Sequence, residues 1–138
     1  MVKIAKSSGL GWTTLSVDDA SSAQQAIKND ITNLQFATPR AVWDVTGIDK
    51  SAFERLLLLA DCSVTLTGVF NAAANQAHAV FSTVPSTSVA RLVTMVVNAK
   101  TLAPTLLFTD YSLTRAVGGA LTFSAPGVLS NGVVPTWS

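Results

Sequence analysis

The chain has one cysteine and one histidine in 138 residues, and only 12% of its side chains are charged. A single thiol, Cys62, excludes an intrachain disulfide. It is expected to pack as a small buried hydrophobe. A lone imidazole, His78, leaves nothing from which to assemble a zinc site, and Cys62 lies too far away in sequence to make a ligand pair by spacing. Any Ser/His/Asp triad would have to use His78, and no Gly-x-Ser-x-Gly elbow accompanies it. The acidic residues Asp18, Asp19, Asp30, Asp44, Asp49, Asp61 and Asp110 are scattered and form no calcium loop. Phosphate-binding glycine loops and dinucleotide fingerprints are missing too. No catalytic residue, cofactor or metal is therefore expected, and an enzyme ranks last among the functions considered.

Long apolar runs are equally scarce. The longest aliphatic stretch, Leu56-Leu57-Leu58-Leu59-Ala60, is far too short to span a bilayer, and the lysine-bearing start lacks the apolar centre of a secretory signal. The expectation is a soluble protein made in a cytoplasm, with no membrane partner. Nine basic and eight acidic residues are spread evenly, for a net charge of +1, so no basic patch marks a nucleic-acid surface. Trp12, Trp43 and Trp137 could stack on bases, but without basic neighbours they read as core or interface anchors.

What the chain does have is apolar content. Hydrophobic residues make up 49% and the mean hydropathy is +0.42. A typical soluble domain is about 25% charged. Apolar side chains that exceed the capacity of a small core reach the surface, where they mark interfaces, so an obligate oligomer is expected.

The pattern along the chain is that of one mainly β domain, 1–138, with 1–10 as a possible N-terminal arm and 127–138 as a C-terminal extension. Trp12 to Val17 and the residues around Leu34 and Phe36 read as strands, and Ala20 to Asp30 as a turn of helix or a loop. Cys62, Val64, Leu66, Gly68 and Phe70 alternate with Ser63, Thr65, Thr67 and Val69, as in a strand with one buried face. Val89 to Val97 is a second such strand, and Thr105 to Val117 supplies one or two more. Gly118-Gly119 is a hairpin turn leading to Leu121 to Ser124, and Pro126-Gly127 and Asn131-Gly132 are further turn signals. Ala77 to Val84 fits either a helical turn or a strand. One helix is predicted from Ser51 to Ala60: Ser51-Ala52-Phe53-Glu54 has the form of a capping box, and Phe53, Leu56, Leu57 and Ala60 fall on one face.

Long strand edges must be covered or paired, and identical subunits can satisfy them by closing a barrel around a ring. At this point a resemblance enters. The segment Val45-Thr46-Gly47-Ile48-Asp49-Lys50-Ser51-Ala52-Phe53-Glu54-Arg55-Leu56, followed by Leu59 to Asn71 with its Ala-Asp-Cys-Ser-Val-Thr-Leu-Thr-Gly-Val-Phe-Asn run, resembles the tail tube (major tail) proteins of long-tailed bacteriophages, of the type found in actinobacterial phages and prophages. His78 to Phe81, Thr109 to Arg115 and Val134 to Trp137 extend the likeness over most of the chain from Trp12 onward.

The resemblance implies a β-sandwich or half-barrel core with one flanking α-helix, completed to a β-barrel on hexamerisation. Hexameric rings would stack into a hollow tube in the virion, assembled in the host cytoplasm. The implied partners are further copies of the chain, a tape-measure protein, tail terminator and tail-tip proteins, and genomic DNA that passes through the lumen without specific binding. Val89 to Val97 and Thr105 to Ser124 are expected to supply barrel strands, with Thr94, Thr109, Ser112 and Thr114 facing the lumen. Phe53, Leu56, Leu57 and Ala60 are expected to pack the helix, possibly at a subunit boundary, and the arm, 71–76 and the C-terminal extension to meet the next ring. Alternatives are the inner-tube subunit of a contractile tail or phage-derived injection device, a terminator that stops at one ring, and a small ligand-binding β domain.

Overall fold

The computed structural model describes residues 8–138, so most of the expected N-terminal arm lies outside the described residues. A 3-10 turn at Gly9–Gly11 leads into β1 (Trp12–Asp18). Then follow β2 (Gln24–Ala26), β3 (Ile31–Ala37), β4 (Arg40–Asp44), β5 (Arg55–Ala60) and β6 (Ser63–Val69). Among the described residues the one α-helix, α1, is Ala77–Phe81. The remaining strands are β7 (Arg91–Val97), β8 (Lys100–Leu102), β9 (Thr105–Phe108), β10 (Ser112–Arg115) and β11 (Leu121–Leu129).

Nine strands form one antiparallel sheet in the order β2-β1-β7-β9-β11-β6-β3, with β8 beside β7 and β10 beside β11. β9 is the hinge between two halves: its start pairs with β7 through Arg91 and Leu92, and its end pairs with β11 through Gly127 to Leu129. The halves fold over a shared core in which Leu15, Val17, Val93 and Met95 from one side join Val64, Leu66, Phe123 and Ala125 from the other. The fold is thus mainly β, a sandwich-like half-barrel.

β6 shows why the sequence adopts this form. Val64, Leu66 and Gly68 are buried while Ser63, Thr65 and Thr67 are not, as period-two alternation dictates. In β7 the same alternation buries Arg91, Val93 and Met95. α1 plugs the core with Ala77, Val80 and Phe81, and Phe81 lies within 5.1–5.8 Å of the rings of Phe108, Tyr111 and Phe123. Its first turn is fixed by the buried carboxylate of Asp30, which accepts from the Ala77 amide at 3.0 Å and from Asn71 Nδ2 at 2.8 Å.

Two expectations are corrected. Ser51 to Ala60 is not a helix: Ser51 and Ala52 form a bend, and Arg55–Ala60 is strand β5, paired with β4. The reason is tertiary. The backbone groups a helix would use internally are taken by the partner strand, and the Glu54 amide donates to Thr46 Oγ1 at 2.8 Å instead of entering a capping box. Phe53, Leu56, Leu57 and Ala60 therefore form no helical face, and the one α-helix among the described residues is α1. Nor does Pro126-Gly127 turn the chain. It lies inside β11, where the Phe108 ring packs over Gly127 so closely that a Cβ there would sit 3.3 Å from it.

The C-terminal extension is tied to its own domain. Thr101 and Ser138 exchange two backbone hydrogen bonds of 2.9 and 3.0 Å, and the Trp137 ring packs 5.6 Å from Phe36.

Candidate assembly surfaces

Three surfaces stand out. The first is the outward face of the half formed by β3, β6, β11 and β10. Residues paired across antiparallel strands share a face. Asn33 lies opposite Thr67, Gln35 opposite Thr65 and Ala37 opposite Ser63. Thr67 in turn faces Ser124 and Thr65 faces Pro126. Ser124 faces Ser112, and Thr122 faces Thr114. All of these point away from the core, and none carries a charge. Hydroxyls and amides cover the face, with Val69, Leu107 and Val128 toward its ends.

This face gathers three of the four residues singled out for a lumen. Ser112 and Thr114 lie on it through β10, and the Thr109 amide continues the ladder by donating to the Pro126 carbonyl at 3.0 Å. Thr94 sits elsewhere, on β7 in the other half, where its hydroxyl meets Gln24 Oε1 at 3.2 Å. Asn33 and Gln35 were not anticipated, because a bulge between Ile31 and Asn33 resets the alternation of β3.

The second surface is the pair of edges of this half. β3 is hydrogen-bonded on one side, to β6, and β10 on one side, to β11. Among the described residues no strand covers their outer sides. β3, β6, β11 and β10 alternate in direction, so a β10 edge meeting the β3 edge of another copy would continue the antiparallel order.

The third surface is the β4–β5 hairpin, which forms a two-stranded sheet separate from the main one. It is held by local bonds. Asp44 Oδ1 accepts from the Thr46 hydroxyl at 2.5 Å and from the Thr46 amide at 3.0 Å, and these two hydrogen bonds hold the Asp44 carboxyl below its ordinary value. Arg40 caps the other end by donating twice to the Leu58 carbonyl at 2.9 and 3.2 Å. Both faces are apolar and exposed: Trp43 is 58%, Leu57 60% and Leu59 89% accessible. An isolated two-stranded ribbon is marginal in water. This one displays a leucine row that a soluble monomer has no reason to expose.

Chemistry of the catalytic kind has little footing here. His78 Nδ1 pairs with the Tyr111 hydroxyl at 3.0 Å and its ring lies tilted against Phe70 with centroids 4.7 Å apart, as a packing residue does. Burial, with Asp61 adding to it, pushes the Cys62 thiol up, away from the reactive thiolate. Buried Arg91 is moved down by desolvation and back up by the Asp19 and Asp18 charges. Its guanidinium donates to the Asp18 and Val80 carbonyls at 3.0 and 2.9 Å and to Thr83 Oγ1 at 3.0 Å. That is a tie between β1, α1 and β7, not a ligand site. Among the described residues no group of three or more His, Cys, Asp or Glu could hold a metal, and no helix is long and apolar enough to cross a membrane.

No protein-family model matches the chain, and no curated protein matches its sequence. Solved structures do. A chain from the tail of an empty gene transfer agent particle, from helical refinement with C6 symmetry, superposes with a TM-score of 0.71 at 14% identity, over 96% of this chain and 98% of that one. A chain from the virion of a native gene transfer agent particle gives 0.69 at 12% identity, over 96% and 99%. These neighbours are components of virus-like particles, not enzymes, and at such identities the likeness is one of fold.

Proposed function

We propose that this protein is a tail-tube subunit that assembles with itself into sixfold rings, stacked into the hollow tube of a phage-like particle. The carrying observation is the charge-free hydroxyl and amide face of β3, β6, β11 and β10, bounded by two open edges of compatible direction. Pairing the β10 edge of each copy with the β3 edge of the next closes these strands into a barrel with that face inward. The interface is heterologous, so it makes a ring when the rotation closes. The symmetry of the tail from which the first structural neighbour comes supports six copies.

In this assembly Thr109, Ser112 and Thr114 look into the lumen, together with Asn33, Gln35, Thr65, Thr67, Thr122 and Ser124. Thr94, on the opposite half, looks outward. A neutral lining suits the passage of DNA, because cations would hold phosphates by counterion release and slow transit. The β4–β5 hairpin buries its leucines against further copies, which accounts for the apolar excess. A tape-measure protein fills the tube before DNA does, terminator and tip proteins close its ends, and the assembled protein resides in the virion.

Negative-stain electron microscopy of the purified chain at rising concentration, with sizing chromatography beside it, tests the proposal. Stacked rings with a central channel are expected. Discrete single rings at every concentration would turn the function to that of a terminator. A monomer at every concentration, with or without a tape-measure fragment, would overturn it.

A further inference from the structure

A groove of about 480 Å³ opens beside the β3 edge, on the core side of the sheet. Leu10, Trp12, Leu15, Ile31 and Leu34 form its apolar lining, and Lys28 also borders it. The groove opens where β2 pairs with β1 only at Ser16 to Asp18, so that among the described residues the first half of β1 has a strand, β7, on one side alone. Trp12, Ile31 and Leu34 are partly buried against the core there.

At the opposite edge of the same half stands Leu113. It lies across from buried Phe123, and so belongs to the core side of β10, yet it is 47% exposed. Phe123 is level with Gly68, and Gly68 with Ile31. The pairing registers therefore place Leu113 at the height of Ile31, on the same side of the sheet. One edge carries an apolar knob and the other an apolar hole, at matching level and face.

We infer that Leu113 of one copy enters the β1–β3 groove of the next, so that the hydrophobic core runs on across each subunit boundary of the ring. The occupant is a second copy of this chain, and the inference rests on the edge-to-edge ring proposed above. It adds that side chains, not backbone pairing alone, fix the boundary and exclude water from it. Closure staggers neighbouring strands, which sets how far along the groove Leu113 enters.

Cysteine pairs test this in a Cys62→Ala background, which removes the native thiol. Leu113→Cys is combined with Ile31→Cys or with Leu34→Cys, two heights along the groove, and the assembled material is oxidised. A disulfide needs Cβ atoms about 3.5–4.5 Å apart. A ladder of cross-linked species ending at the ring is expected in at least one double variant and in neither set of single variants. Separately, Leu113→Asp should keep the thermal midpoint of the free chain while raising the concentration needed for assembly about tenfold or more. Assembly of the unmodified chain without a ladder in either pair, and with Leu113→Asp assembling at the unmodified concentration, overturns the seal and leaves the tube standing. An unmodified chain that never assembles overturns both.

Discussion

Gly68 is the residue on which the closest backbone approach depends. A Cβ at this position would lie 2.1 Å from the Asp30 carbonyl oxygen and 2.9 Å from the Phe123 ring. Asp30 must come this close because its carboxylate fixes the first turn of α1. Neither neighbour can yield cheaply, since one is backbone and the other core. Gly68→Ala is expected to cost about 3 kcal/mol of folding stability, read by urea denaturation of the monomer. Arg91 is the second such position. It is 1% exposed and satisfies two buried carbonyls and a hydroxyl. Arg91→Met fills much of the same space but leaves those acceptors bare, at a cost of about 3 kcal/mol. For a domain of this length that lowers the thermal midpoint by roughly 10 °C. The burial of Arg91 could be anticipated from its place in the alternation of β7. Its partners could not, because the Asp18 and Val80 carbonyls are far away in sequence.

At the level of elements, alternation was a reliable guide where it was clean. β6 and β7 bury the positions their sequences indicate, and the Gly118-Gly119 hairpin joins β10 to β11. It failed at Arg55–Ala60, where the leucine run has no period. Such a run fits a helix face and a two-faced strand equally. What decided between them was a partner strand, Arg40–Asp44, whose Val42 and Trp43 lie opposite Leu57 and Leu56. The resulting hairpin forms a sheet separate from the main one, so its exposed leucines add little to the core of the single chain, and in the proposed tube they would be covered by further copies. Replacing Leu57 and Leu59 with lysine is expected to leave the monomer's thermal midpoint within about 2 °C. The same variant should form no tubes in electron micrographs. A midpoint drop of the size expected for Gly68→Ala would instead place those leucines in the fold of the single chain.

For the whole molecule, the sequence shows which face of a strand avoids the core but not which half of the sandwich owns it. Thr94 and Thr114 occupy equivalent places in their local patterns and end up on opposite halves. The neutral face carries a prediction at this scale. Thr65→Lys with Thr122→Lys would place a ring of cations in the proposed channel. Tubes of this variant should retain short DNA in sedimentation, with affinity falling steeply as salt rises. Unmodified tubes should not retain it. Equal DNA retention by both would place the face outside the lumen.

In the proposed ring, the two open edges of the β3-to-β10 half would also govern how assembly proceeds. They are different edges, seven residues long at β3 and four at β10, so no pair of copies can satisfy both at once. An arc of any length still presents a bare edge at each end, and growth leaves that liability unchanged until the last subunit removes both ends together. Closure is thus the only step that leaves an assembly with no unpaired edge. Such a system populates free chains and complete rings at the expense of arcs, with a sharp concentration threshold between them, and would leave the proposed tube with no half-built wall.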